Sequence, residues 1–481
     1  MVSEELQYKK MTETPIKKLI ITLAIPTIIS MLVTAIYNLA DTFFVSRLGV
    51  SASGAVGIVY PLMAIIQAIG FMLGMGGGSN ISAKLGEKNN DDAQKIGSAS
   101  FYTSLLFGFI FMLFGMVFLE DILYLLGSTS TVLPYAKDYA KYIIYGAPVM
   151  AASFVLNNIL RAEGKAKFSM IGLSVGGILN CFLDPVFIYG LNMGISGAAI
   201  ATLISQCVSF MILLSFFLMK KSIITLSVKY IPFKFGPYLE IFNVGLPSLA
   251  RQGLASISTI ILNTQASSFG GDPALSGMSI VSKVFMIIFS ISLGIGQGYQ
   301  PVCGYNYSSR HYKRVKESMV FTFVVSTIIM TVMALMFFIF SEPTIYMFLG
   351  ETAEGVEQVI DIGGKALRFQ CLAMPLMSVN VICNMTYQAT RKKLTATILS
   401  CCRQGIFFIP CSFLLPFMFG ITGVELIQPV SDLITFIVSI PFYVLFIKHL
   451  NKLENEHIEG EFNELMHDKI NQQIVDFGDD N

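Results

Sequence analysis

Asp41 and Asp184 each stand inside a long apolar run, where an ionisable side chain is costly enough to need a reason. Asn180 precedes Asp184 by about one helical turn, so both would project from one face. Asn157 and Thr202, from two further runs, add oxygens at comparable depth. Two carboxylates, two amides and a hydroxyl can hold a small cation such as Na⁺. They can equally share a proton between acids that resist ionising together. Pro26 precedes Asp41 in the same run and removes a backbone hydrogen bond, which marks it as a hinge that ion occupancy could bend. Tyr37, a turn before Asp41, is a candidate cleft residue. The second half of the chain carries Arg251 and Lys283 at depth, with Glu425 and Asp432 in its last run. These four are expected to pair internally; the other reading has Arg251 or Lys283 lining or gating a substrate cleft.

The elements that must position these residues follow from composition. Of 481 residues, 54% are hydrophobic and only 13% charged, with a mean hydropathy of +0.67. That excludes water-soluble, disordered and nucleic-acid-binding classes and leaves an all-α polytopic membrane protein. A hydrocarbon core of about 30 Å needs roughly 20 apolar helical residues. Twelve runs qualify: 19–46, 54–79, 97–119, 138–160, 168–190, 194–219, 239–269, 277–300, 318–341, 366–389, 394–419 and 421–447. Lys and Arg crowd alternate connections, from Lys17 and Lys18 through Lys84 and Lys88, Arg161 and Lys165, Lys220 and Lys221, Arg310 and Arg314, to Arg391 and Lys392. By the positive-inside rule these ends, and both termini, face the cytoplasm of a cell-membrane protein. Residues 451–481 read as a solvated acidic tail with room for one short helix near Phe462–Ile474.

The chain also repeats at half its length. Ala24-Ile25-Pro26 matches Gly245-Leu246-Pro247, and Leu73–Gly78 matches Leu293–Gly298. Pro148 and Asn157 match Pro375 and Asn384; Gly194–Gly197 matches Gly420–Gly423. Six spans per half make the repeats parallel, with substrate expected between them. The expected organisation is an N-lobe over 1–219, a cytoplasmic linker over 220–238, a C-lobe over 239–450 and the tail over 451–481. The glycine string at 74–78 is read as close helix packing or a hinge, not as a nucleotide loop, since no strand precedes it. The 8 cysteines lie in apolar segments without a CxxC, and no zinc-protease, phosphate-loop or serine-elbow motif occurs. No enzyme, cofactor, resident metal, nucleic acid or obligate protein partner is expected.

Taken together, these features resemble the multidrug and toxic compound extrusion (MATE) family, over about 15–450. The resemblance rests on Pro26 and Asp41, on Asn180-x-x-x-Asp184, on the GISG and GITG turns, and on Pro429-Val430-Ser431-Asp432. It implies twelve transmembrane helices in two six-helix lobes forming a V around a central cleft. It implies export of amphipathic, often cationic drugs in exchange for H⁺ or Na⁺, with Asp41, Asn157, Asn180, Asp184 and Thr202 as the coupling site. The chain looks closest to the bacterial drug exporters. A Glu and an Asp that some members carry in spans seven and ten are absent, their positions falling near Ala255 and Met377, so no second-lobe Na⁺ site is expected. The competing function is a flippase for lipid-linked or polysaccharide precursors, which the acidic first lobe disfavours.

Overall fold

The structure is a computed structural model that describes residues 2–349 and 356–478. The described residues are overwhelmingly helical and contain no strand. Eleven helical segments are long and apolar enough to cross a membrane. The N-lobe comprises α2 (Ile16–Ser46), α3 (Val50–Gly86), α4 (Asn90–Val117), α6 (Leu133–Ala162), α7 (Ala166–Pro185) and α8 (Gly194–Leu218). It is preceded by a short helix, α1 (Val2–Glu13), and interrupted by α5 (Leu119–Leu125). The C-lobe comprises α9 (Gly236–Ser308), α10 (Tyr312–Ile339), α11 (Ser341–Phe348), α12 (Val356–Ala373), α13 (Met377–Ala389), α14 (Lys393–Cys401), α15 (Phe408–Phe419) and α16 (Ile421–Gly478).

Helix α9 is two spans in one. Its hydrogen bonding continues for 73 residues, but Gly271 sits at φ 61°, ψ −156°, a conformation only glycine adopts freely, and Pro273 follows. The break falls between the runs 239–269 and 277–300, so the sequence's twelve spans are recovered. Spans ten and eleven are composite: α12 meets α13 through a single 3₁₀ turn at Met374–Leu376, and α14 meets α15 through a π turn at Cys402–Ile406. Outward-turned Leu106, Phe109, Ile110, Leu113, Phe114 and Val117 give α4 the apolar exterior that lipid requires.

Three features depart from the sequence expectation. The tail does not stop as coil: α16 runs on to Gly478, helped near its start by an i,i+4 pair between Lys452 and Glu456. Arg161 does not sit in a polar loop but is buried at the end of α6. The linker is not free over its length. Buried Glu163 accepts from the backbone N–H groups of Ile223 (2.9 Å) and Ile224 (3.0 Å) and from the Ser222 hydroxyl. Gln94 brackets the same strip, donating to the Ile223 carbonyl and accepting from Thr225 N–H. Ile223 and Ile224 are buried in the N-lobe core beside Ile96 and Leu213. Residues 221–227 are thus stitched to the first lobe, and the exposed part begins near Val228.

The repeat reappears in detail. Asn157 donates to the carbonyl of Ser169 (3.1 Å), and Asn384 donates to that of Ala396 (2.7 Å), both twelve residues on. Gly164 and Arg391 each lie seven residues beyond those asparagines, and both have positive φ (76° and 59°) at the turn that ends the helix.

Candidate functional site

Asp41 is 8% exposed and Asp184 is fully buried. One oxygen of Asp41 accepts from the Tyr139 hydroxyl of α6 at 3.1 Å. Across from it, the Asn180 amide donates to Asp184 Oδ1 (3.1 Å) and to the Thr202 hydroxyl of α8 (3.3 Å). The two carboxylates lie within electrostatic reach of one another and of Tyr139. Small residues allow this convergence. A Cβ on Gly176 would lie 2.7 Å from Ser209 Cβ on α8, and one on Gly177 would lie 2.7 Å from Val33 and 3.0 Å from Tyr37 on α2. Helix α7 therefore wedges between α2 and α8 through a glycine pair, and Tyr37 is the wall it leans on.

The site's oxygens are not all satisfied. Asp41 Oδ1, Asp184 Oδ2, Asn180 Oδ1 and the Ser205 hydroxyl are buried without a hydrogen-bond partner. Buried acceptors left open are costly. Two carboxylate oxygens and an amide oxygen left open within one lobe are what a proton or a small cation would satisfy. No group of three or more His, Cys, Asp or Glu that could hold a metal occurs among the described residues.

Of the five expected residues, the structure brings four together: Asp41, Asn180, Asp184 and Thr202. The fifth, Asn157, turns its amide to Ser169, to the carbonyl and to the hydroxyl at 2.6 Å, and makes no hydrogen bond to the others. Its repetition at Asn384 identifies it as a frame contact of both lobes. Tyr139 joins the cluster through its hydrogen bond to Asp41. A lone tyrosine in a half-polar stretch carries no sequence signal.

The second lobe is wired differently from expectation. Asp432 pairs with Arg403 at 2.7 Å and accepts from Gln370 and Gln428, each at 2.9 Å. Arg251 donates only to Asn384 Oδ1, at 3.4 Å. Among the described residues Lys283 is half-buried and has no ion pair, and one oxygen of Glu425 is buried without a partner. The four charges do not pair with one another, because Arg403, in the π turn, reaches Asp432 first.

Among the described residues, every hydrogen bond between lobes lies at the end with the basic connections. Arg161 donates to Gln297, Gln300 to Ser79 (2.9 Å), Asn306 to the Met11 carbonyl (3.1 Å) and Arg314 to that of Thr14 (2.7 Å). Glu87 and Arg391 close an ion pair at 2.8 Å. Partial burial alone would raise the Glu87 carboxyl, but Lys84 and Arg391 outweigh it and hold the group below the ordinary value of 4.5. The glycine strings make this contact possible: a Cβ on Gly76 would stand 2.1 Å from the Ile241 carbonyl oxygen, and one on Gly298 would stand 2.5 Å from Ala24 Cα. Close packing is their role here. Helix α1 spans the joint, with Gln7 donating to the Glu163 carbonyl of one lobe while Met11 accepts from Asn306 of the other.

Fold and site together define a multi-pass α-helical membrane protein of two repeated lobes, with a buried acidic cluster in the first. The MatE family model matches residues 26–186 and again 247–414, one segment in each lobe, and the chain belongs to that family. It is 27% identical to the multidrug export protein MepA of Staphylococcus saprophyticus, over 91% of this chain and 95% of that protein. Among solved structures, a MATE crystallised in complex with MaL6 superposes with a TM-score of 0.88 at 25% identity, over 92% of this chain and 99% of that one. A multidrug resistance MATE family transporter in an outward-facing conformation gives 0.87 at 25% identity, over 92% and 98%.

Proposed function

We propose that this protein is a secondary antiporter of the cell membrane that exports amphipathic, often cationic compounds in exchange for H⁺ or Na⁺. The observation that carries this reading is the set of open acceptors on Asp41, Asp184 and Asn180, buried within one lobe. A proton or Na⁺ entering there cancels charge in a pocket of low dielectric, which weakens the hold on a cationic cargo and favours its release. Withdrawal of the ion restores the acidic site. The cycle runs by alternating access: the two lobes, closed at the end with the basic loops, part at that end and close at the other. Both termini lie in the cytoplasm in this reading, which the basic connections support. The matched drug-export relative supports the cargo class, and the acidic first lobe supports its charge.

Purified protein in proteoliposomes tests the reading. Dye efflux should follow an imposed ion gradient, and Asp41→Asn should abolish it while expression stays at the wild-type level. The amide keeps the shape but supplies neither a full negative charge nor an exchangeable proton site. Undiminished efflux by Asp41→Asn would remove Asp41 from the coupling mechanism. A proton gradient in Na⁺-free buffer identifies the ion. We favour H⁺; export that returns only with Na⁺ would redraw the same residues as a sodium site.

A further inference from the structure

We propose that a small cavity in the second lobe, between α9, α13 and the α14–α15 junction, binds a carboxylate group of the transported compound. The inference deepens the exporter reading and rests on it. Arg251 of α9 and Arg403 of the π turn line the cavity with Asn384, Ser400 and Gln404, and Phe289 forms an apolar wall.

Donors there exceed acceptors. Asn384 directs its own amide group to the Ala396 carbonyl and the Ser400 hydroxyl, both at 2.7 Å, which leaves its Oδ1 as the single, distant partner of Arg251. Arg403 uses Nε on Asp432, while its Nη2 is buried without any partner. Asp432 balances one guanidinium, and both its oxygens are already engaged by Arg403, Gln370 and Gln428. No carboxylate is among the cavity's lining residues and Asp432 lies behind Arg403, so the charge of Arg251 stands without a counter-charge among the described residues at membrane depth. Such a charge is expensive and calls for a counter-anion. The rings of Phe289 and Phe285 lie 4.7 and 5.0 Å from the Arg403 guanidinium carbon and hold that plane in place. A fixed, planar fork of N–H groups beside a second guanidinium and an aromatic wall matches an aryl carboxylate. The lobes are then complementary in charge, acidic in the first and carrying paired guanidinium groups in the second.

Equilibrium binding to the full chain in phosphatidylcholine nanodiscs tests this. The probes are a zwitterionic quinolone carboxylic acid, its methyl ester, and a purely cationic dye. The acid should bind about tenfold more tightly than the ester, the scale of hydrogen bonds to a charged group. Arg251→Gln should erase that preference, bringing the acid down to the affinity of the ester, and Arg251→Lys should retain part of it. Equal binding of acid and ester to the wild type, or an intact preference in Arg251→Gln, overturns the proposal while leaving dye export standing. Displacement of the acid by added phosphatidylglycerol, but not by soluble benzoate, assigns the cavity to a lipid phosphate and overturns it as well. A chain that binds neither dye nor quinolone overturns both readings.

Discussion

At the scale of single residues, the acidic cluster separates two jobs. Tyr139 and Asn180 each give a carboxylate one donor, and the remaining oxygens stay open. Asp184→Asn and Asn180→Ala should therefore weaken the ion's effect on drug affinity by about tenfold, the scale of a lost charged hydrogen bond. Drug binding measured without the ion should change far less. Binding isotherms at two ion concentrations check this; an unaltered ion effect in both variants would exclude the cluster. Most of the site was legible because acids in apolar runs are conspicuous, and the four-residue spacing of Asn180 and Asp184 fixes a shared face. The turn of the Asn157 amide toward Ser169 was not legible, because depth along a span does not say which way an amide turns. Tyr139 and Arg403 were missed because a partner is defined by a neighbouring helix, which no spacing within one helix reveals.

At the scale of elements, helix α2 carries Asp41 near one end and Pro26 nearer the other. The ring leaves the Thr22 carbonyl without its helical donor, and Thr27 and Ser30 back-bond to Leu23 and Pro26 around it (2.8 and 3.0 Å). The stretch just before Pro26 is also where α2 meets Gly298 of the other lobe. Pro26→Ala should stiffen this segment and slow efflux several-fold without loss of drug binding, read from initial rates in proteoliposomes beside equilibrium binding. A wild-type rate would mean the bend plays no part in the cycle. Hydropathy located every span, and the break at Gly271 was readable as the gap between two runs. The composite spans were not readable, because 3₁₀ and π turns keep the apolar pattern while changing the hydrogen-bond register.

At the scale of the whole molecule, the glycine faces and hydrogen bonds that join the lobes among the described residues lie at one end. Gly76→Val places methyl groups against the Ile241 carbonyl in the closed joint and against nothing there once the joint opens. The variant should shift the population toward the arrangement open at that end. Spin-label distances between α3 and α13 would lengthen; unchanged distances would show that the joint does not part. Glu87→Gln should act the same way but weakly, since an exposed ion pair contributes about 0–1 kcal/mol. The pH dependence has a definite sign. A carboxyl held below its ordinary value stabilises the closed joint fully above pH 4.5 and loses that effect as pH falls through the lowered value. Between about pH 5 and 8 the Glu87→Gln offset should stay constant, so any opening driven across that range arises elsewhere. The two-lobe plan was legible from four ordered repeats; the side on which the lobes touch was not, because the glycine strings fit both packing and hinging.

The stitching of residues 221–227 to the first lobe leaves Val228 to Phe235 as the only stretch of chain that bridges the halves without burying itself, with Phe233 and Phe235 exposed. Each half supplies its own asparagine clamp and its own complement of spans, and at the joint the cores run together, Ile241, Val302 and Tyr305 packing with first-lobe residues and Met75 with second-lobe ones. Covalent continuity at this point is thus a tether and no part of the fold. Two polypeptides divided between Val228 and Phe235 and made together should therefore find one another in the bilayer and restore dye efflux; a co-expressed pair without efflux would show that the tether is needed.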